Sequence, residues 1–325
     1  MNKGIMLSVV IPCYNSYKYM KTLLSHFEQM ANPLLQIVIV DDCSTDSSYE
    51  DLLQYKSKSN ISIKLLKNEK NSGPGISRNK GIEYSDGKYI TFLDSDDYFD
   101  LKYWEIVYPL LKNDYEVIVY DAVIDCLKGK QIEYFMFSMN QKKGDIQTSE
   151  ALVFIKGATW GKIYKKELIR DHNIIFPDLK RNEDMPFTKS VIAVSKRIYY
   201  LKECLYHYVQ HNDSLMHNAE LLDVKNAQTG FFLLNERFKF LYPKEMEAIF
   251  AVEYLYSTIF TNIQKMKRKQ LINYIKESEK IYPKYITNSY LKKFPVYIKI
   301  SLYLIRWKMY YPLRGLFLLK KKIRG

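Results

Sequence analysis

No disulfide framework or zinc site can be built from this chain. Its four cysteines, Cys13, Cys43, Cys126 and Cys204, lie far apart and form no CxxC or comparable ligand spacing. Such thiols fit a reducing compartment. No uncharged stretch approaches the roughly 18 apolar residues that a membrane-spanning helix requires. Met1 to Cys13 holds a lysine and a short apolar run, but no small-residue cleavage site follows, so it reads as a first strand rather than a secretion signal. A cytosolic protein is expected. Internal repeats and low-complexity linkers are absent. So are acidic residues after Glu279: from Lys280 to Gly325 there are twelve Lys and Arg and no Asp or Glu. The whole chain carries +13, which leaves only +1 for residues 1–279. The basicity belongs to a tail and the body is neutral.

What is present suffices for a large folded body. The chain has 325 residues, 47% of them hydrophobic, with a mean hydropathy of −0.29. That predicts one large domain plus an appendage. Its most informative stretch is Lys88–Asp97, an apolar β-branched run ending in three carboxylates within four residues. Residues 88–93 read as a strand. If the chain stays extended, Asp94 and Asp96 point one way and Ser95 and Asp97 the other. Two converging carboxylates repel unless a cation lies between them, and an all-oxygen pair suits Mg²⁺ or Mn²⁺.

Around this stretch the first hundred residues alternate strand and helix signals. Strands are predicted over Leu7–Pro12, Gln36–Val40, Ile61–Leu65 and Tyr89–Leu93, and helices over Ser16–Met30, Ser44–Tyr55 and Ile76–Tyr84, the last preceded by a Gly73-Pro74-Gly75 loop. This order predicts an α/β fold with a mostly parallel sheet flanked by helices. Ligands of such sheets bind beyond the carboxyl ends of the strands. Pro12-Cys13-Tyr14-Asn15, Asp41-Asp42 and Asp94-Ser95-Asp96 all fall at that edge. Further strands are predicted over Glu116–Tyr120 and Ile132–Phe137, and helices over Ser149–Ile155 and Lys165–Arg170. The pattern is helical from about Ala219 onward.

With these residues in view, the chain resembles the inverting family 2 glycosyltransferases of GT-A fold, of the kind that build bacterial surface polysaccharide, capsule, lipopolysaccharide or wall teichoic acid. The resemblance rests on LSVVIPCYN (Leu7–Asn15), VIVDDCSTD (Val38–Asp46), NSGPGISRNKG (Asn71–Gly81), GKYITFLDSDD (Gly87–Asp97), WGKIYKKELI (Trp160–Ile169) and NEDMPF (Asn182–Phe187). It implies a mixed, mostly parallel sheet with a Rossmann-like nucleotide-binding half over 1–100, an acceptor half over 101–218, and a helical region over 219–325 with a basic amphipathic tail at 291–325. It also implies roles. Pro12 and Tyr14 frame the nucleoside base, Asp42 bonds uracil, and Arg78 helps hold the nucleotide-sugar. Asp94 and Ser95 face ribose and sugar, while Asp96, with Asp94, ligates Mn²⁺ or Mg²⁺. Glu183 and Asp184 form the acidic pair on the acceptor side, Asp184 being the catalytic base, and Trp160 lines the acceptor pocket. Where family members often carry an Arg after Tyr-x-Tyr, this chain has Val209 after Tyr206-His207-Tyr208, followed by His211 and Ser214. His211 is the candidate diphosphate contact in its place.

The expected activity is metal-dependent, inverting transfer of a hexose or N-acetylhexosamine from a UDP-sugar to a growing, lipid-linked cell-surface glycan. The alternatives are the same fold acting on a soluble or protein acceptor, or a catalytically silent sugar-nucleotide or glycan-binding protein. Read without the resemblance, Asp41, Asp42 and Asp46 cap a helix, and Glu183-Asp184 is an acidic first turn. His26, His172, His207 and His217 have no ligand spacing and read as structural or surface residues. In the tail, Ile300, Tyr303, Leu304, Trp307 and Tyr311 fall on one face of a predicted helix bordered by Lys292, Lys299 and Arg306. That pattern suits an anionic membrane surface, the expected one being the inner face of the cell membrane, or a helix packed on the protein. No nucleic-acid-binding motif accompanies the charge.

Overall fold

The computed structural model describes residues 4–126, 129–138, 142–211 and 222–324. They fall into two compact units, one of residues 4–151 with 155–211, the other of Leu152–Phe154 with 222–324. The predicted boundary at 218/219, Ser214 and His217 lie outside the described residues.

The first unit is built on a ten-stranded sheet among the described residues. Its strands are β1 (Leu7–Cys13), β2 (Leu35–Asp41), β3 (Ser62–Lys67), β4 (Tyr89–Phe92), β5 (Tyr98–Phe99), β6 (Val117–Asp125), β7 (Gln131–Tyr134), β8 (Gly144–Ile146), β9 (Lys162–Lys165) and β10 (Ile198–Val209). They run in the order β3-β2-β1-β4-β9-β6-β10-β5, with β7 beside β6 and β8 beside β10. Pairing is parallel through β3-β2-β1-β4, antiparallel on both sides of β9, and parallel again between β6 and β10. Every residue of β2 is buried and β1 nearly so, because helices cover both faces of the parallel half, and an unbroken Val/Ile/Leu run satisfies both.

The helices of this unit are α1 (Lys21–Gln29), α2 (Ser48–Lys58), α3 (Pro74–Tyr84), α4 (Tyr103–Leu111), the first turn of α5 (Thr148–Phe154, whose last three residues count with the second unit), α6 (Lys166–Asp171) and α7 (Asp184–Val194). Helix α3 lies against β1 so closely that a Cβ on Gly81 would come within 2.3 Å of Val10 Cγ1. The helix predicted over Ser16–Met30 is two pieces, a 3₁₀ turn at Tyr17–Tyr19 and then α1. Strand β10 is the longest element the sequence did not announce. Lys202, at φ 55°, breaks its alternation, and the register with β6 slips between Tyr200 and Cys204.

The second unit is helical, comprising α8 (Leu222–Phe238), α9 (Pro243–Ile249), α10 (Ser257–Asn262), α11 (Arg268–Glu279), α12 (Val296–Arg306) and α13 (Tyr310–Arg324). A π-helical segment, Phe250–Tyr256, runs through its centre and is buried at all but Glu253. The single tail helix expected between Pro295 and Pro312 is interrupted: α12 ends at Arg306, Lys308 takes φ 56°, and α13 restarts at Tyr310. Among the described residues no helix is long and apolar enough to cross a membrane.

Candidate active site

The carboxyl ends of β1, β2, β3 and β4 deliver four loops to one edge of the sheet, and the predicted residues gather there. After β1, Asn15 adopts φ 50° and its side-chain oxygen accepts the Thr45 amide at 2.8 Å, fastening the β1 loop to the β2 loop. Tyr14 projects beside it, 44% exposed, with Pro12 half-buried below.

Asp42 is buried and its carboxylate is already engaged. Oδ1 accepts from Asn68 Nδ2 at 2.7 Å and the Ser72 amide at 3.0 Å; Oδ2 accepts from the Gly73 amide at 2.7 Å. Asp42 therefore holds the glycine loop that opens α3, and a bond to a uracil would have to displace one of these donors. Asn68, just past β3, was missed in the sequence. It also donates to Ser77 Oγ at 2.9 Å, tying the loop to α3. A lone Asn after a strand carries no signal of such a role.

Arg78 lies at the centre. Its guanidinium is buried and forks to three carboxylates: Asp94 at 2.8 Å, Glu183 at 2.9 Å and Asp184 at 3.0 Å. The Phe176 ring lies 5.5 Å from it. Each bond is charge-assisted, and the fork is a geometry lysine cannot reproduce. These partners raise Arg78 above its ordinary value in spite of burial. Arg78 thus bridges the strand-end Asp94 and the acidic pair at the start of α7.

Glu183 is buried at the N-cap position of α7 without a side-chain bond to the helix; Asp184 opens that helix with its side chain 29% exposed. Burial pushes the Asp184 carboxyl up to about 7, Glu183 and Asp94 adding to the rise and Arg78 opposing it. A carboxyl poised near neutrality can take a proton and release it.

Asp94–Asp97 is a turn closed by the Asp97 amide on the Asp94 carbonyl at 3.1 Å, so the alternation expected of an extended chain does not hold. Strand β4 ends at Phe92, and the turn sets each side chain individually. Asp94 and Asp96 are partly exposed and Ser95 lies between them. Burial, and after it the nearby Asp94, raise the Asp96 carboxyl above its ordinary value. Asp97 is buried and has a task of its own. It accepts from Tyr206 Oη at 2.5 Å and the Val209 amide at 2.8 Å, anchoring the end of β10.

That end carries His211, whose ring contacts Tyr19 at 4.8 Å. Its Nε2 is buried without a hydrogen-bond partner, 3.9 Å from Asp96 Oδ2. A cleft of about 560 Å³ opens here, lined by Lys18, Tyr19, Asp96, Lys130 and His211 among others. Trp160 is half-buried, stacked on Tyr206 at 4.8 Å and near Tyr134 at 5.6 Å. His26 and His207 are structural, as expected: His26 Nδ1 bonds the Phe99 carbonyl, and His207 stacks on Tyr98.

No group of three or more His, Cys, Asp or Glu side chains forms a ready metal cluster among the described residues. The donor set nonetheless fits a divalent ion that keeps waters or shares ligand oxygens. Asp96 and Asp94 offer carboxylate oxygens, and His211 Nε2, without a hydrogen-bond partner, lies 3.9 Å from Asp96 Oδ2.

Comparison with known proteins places the chain. The sequence profile described as glycosyl transferase family 2 matches residues 8–171. The poly(ribitol-phosphate) beta-N-acetylglucosaminyltransferase TarS of Staphylococcus aureus is 30% identical over 205 residues, 62% of this chain and 35% of TarS. The putative glycosyltransferase EpsH of Bacillus subtilis is 27% identical over 261 residues, 76% of this chain and 74% of EpsH. The chain thus spans about a third of the length of TarS. In fold it matches the crystal structure of S. aureus TarS 1-349 with a TM-score of 0.72 at 21% identity, covering 98% of this chain and 92% of that one. The same fragment in complex with UDP-GlcNAc gives 0.70 at 22% identity, again covering 98% and 92%. The chain belongs to glycosyltransferase family 2.

Proposed function

We propose that this family 2 member transfers a sugar from a UDP-sugar to a hydroxyl of a growing, lipid-carried cell-surface glycan, with inversion at the anomeric carbon. The observation that carries the proposal is the Arg78 fork, which sets an ionisable acceptor-side carboxyl, Asp184, and the donor-side Asp94 on one guanidinium. TarS, TarS bound to UDP-GlcNAc and the putative teichuronic acid glycosyltransferase TuaG of B. subtilis support donor and product class.

In this mechanism Tyr14 lies against the base, with Pro12 beneath it. Asp42 serves by fixing the glycine loop under the diphosphate rather than by a free lone pair. The acceptor hydroxyl gives its proton to Asp184 as its oxygen attacks the anomeric carbon, and the bond from that carbon to the UDP oxygen breaks. One base and one displacement leave the configuration inverted, and no second carboxylate need become glycosylated. Glu183 holds Arg78, and so orients Asp184, without touching the substrate. Asp96 with Asp94, joined by His211, would hold Mn²⁺ or Mg²⁺, which when bound supplies Lewis-acid stabilisation of the leaving diphosphate. Trp160, packed on Tyr206, forms part of the acceptor wall.

The test is release of UDP from a panel of UDP-sugars with and without Mn²⁺, with and without a polyol-phosphate or hexose-polymer acceptor. Acceptor-stimulated release with one donor is expected. A folded protein that binds UDP yet shows no turnover with any donor would return the chain to a sugar-nucleotide-binding role.

A further inference from the structure

The second unit presents an apolar surface that its own packing does not use. Nine of the nineteen exposed large hydrophobic side chains among the described residues lie between Val296 and Leu319. Along α12 and its C-cap, Val296, Ile300, Tyr303 and Trp307 recur at spacings of four, three and four. They are 64%, 47%, 47% and 68% exposed. The opposite side of the helix, Ile298, Ser301, Leu302 and Ile305, is buried. The helix is therefore already docked through one face, and the aromatic stripe is a second face. Beyond the break at Lys308, Met309, Tyr311, Leu318 and Leu319 continue the exposed set.

The charged side chains that α12 and α13 themselves bring to this face are all basic. No carboxylate follows Glu279 in the sequence, while Lys292, Lys299, Arg306, Lys308 and Arg314 do. Glu279 pairs with Arg306 at 3.2 Å and Lys308 at 3.0 Å, which offsets one of those charges and pins the inner edge of the face. Lys299 and Arg306 lie on the same flank of the stripe, seven residues apart.

We infer that the outer face of α12 and the start of α13 is a docking surface for an anionic lipid bilayer, Ile300, Tyr303 and Trp307 entering the headgroup boundary and the basic flank meeting acidic headgroups. Exposed aromatic and aliphatic side chains bordered by cations are what such an interface selects. A second copy of the chain would bring like charge against like charge. A nucleic acid would find cations but would leave the aliphatic stripe without a partner. The inference goes beyond the transfer reaction and does not depend on it.

The test is co-sedimentation of the full chain with vesicles of phosphatidylcholine alone or mixed with phosphatidylglycerol. The wild type should sediment with the mixed vesicles and keep part of that binding in high salt. Ile300→Ser with Trp307→Ser, both solvent-exposed, should leave the melting temperature unchanged and weaken partition by about tenfold or more, since two inserted apolar side chains are lost. Lys299→Gln with Arg314→Gln should weaken binding several-fold at low salt, only on the anionic vesicles. Vesicle binding unchanged in both pairs overturns the inference. So does a concentration-dependent dimer that the Ser pair abolishes, or retention on duplex DNA without vesicle binding. UDP release is measured alongside: its loss with vesicle binding intact counts against the transfer reaction, not against the lipid surface.

Discussion

Arg78→Met removes one charge from the middle of three. The methionine keeps an unbranched, helix-compatible chain, so the effect is electrostatic rather than steric. Three pairs at 2.8, 2.9 and 3.0 Å are broken at once, leaving Glu183 buried without its cation and Asp94 and Asp184 partly open to solvent. Leaving buried charge unpartnered costs about 3–5 kcal/mol. For a body of this size that is a fall in melting temperature on the order of 10 °C.

The kinetic consequence has a definite sign. Asp184 stands raised to about 7 with Arg78 opposing the rise, so without Arg78 the carboxyl climbs further. A base must be ionised to act, so wild-type kcat/KM should rise with pH through a limb near 7. In Arg78→Met the limb should move up by about one unit or more, each unit costing tenfold at neutral pH. Activity should partly return in alkaline buffer. The melting temperature should fall as pH rises from the ordinary Asp range toward 7, because the native state holds its proton longer than the unfolded chain does. Arg78→Lys should recover charge but not the fork, and lie between. The assay is UDP release against pH on protein shown to be folded by circular dichroism. An acid limb that stays in place or moves down in folded Arg78→Met would refute the argument.

Asp184→Asn keeps the bond to Arg78 but cannot take the proton, so transfer should fall by about 10²-fold or more while calorimetry shows UDP binding near normal; near-wild-type transfer would remove Asp184 from the mechanism. Asp96→Ala should abolish the Mn²⁺ dependence of UDP binding with little change in melting temperature. Asp97→Ala should lower the melting temperature by several degrees, since Tyr206 and the Val209 amide lose their acceptor; the reverse pattern would exchange the two assignments. Gly81→Ala should cost about 1–3 kcal/mol in urea unfolding, because the new methyl would sit 2.3 Å from Val10 Cγ1.

The parallel half of the fold was legible because β1, β2 and β4 are buried on both faces and read as largely apolar runs, while β3, at the edge of the sheet, shows itself by alternation. Its site residues were legible as far as chain-local signals reach. Asp94 and Asp96 follow a strand, Asp42 precedes a helix, and Arg78 follows a glycine loop. What the sequence does not carry is who bonds to whom across a hundred residues. Arg78 looks like a donor ligand from its loop, yet its partners sit sixteen, 105 and 106 positions away. Asp97 looks like the third acid of an exposed turn, yet its partners lie on β10, more than a hundred residues on. Strand β10 itself was hidden because its bulge at Lys202 breaks the period of two on which a strand is recognised.

Those long-range bonds change what the motifs mean together. The Asp-Ser-Asp turn and the Glu-Asp pair, taken separately, are a candidate cation site and a candidate base with no reason to communicate. Arg78 makes them one ionic system: three carboxylates share one guanidinium, so the set carries surplus negative charge when all are ionised. A cation held at Asp94 would withdraw that carboxylate from Arg78 and leave the guanidinium more fully to Glu183 and Asp184. By the signs of the influences on Asp184, less field from Asp94 and more from Arg78 both lower its pKa. Loading the donor side with its counter-ion would then favour the ionised base on the acceptor side. The coupling predicts that the acid limb of the pH profile moves down as Mn²⁺ is titrated from limiting to saturating concentration. Arg78→Lys should flatten that movement, because a single ammonium cannot hold both sides. A limb that ignores metal concentration in the wild type would show that the two halves of the site act independently.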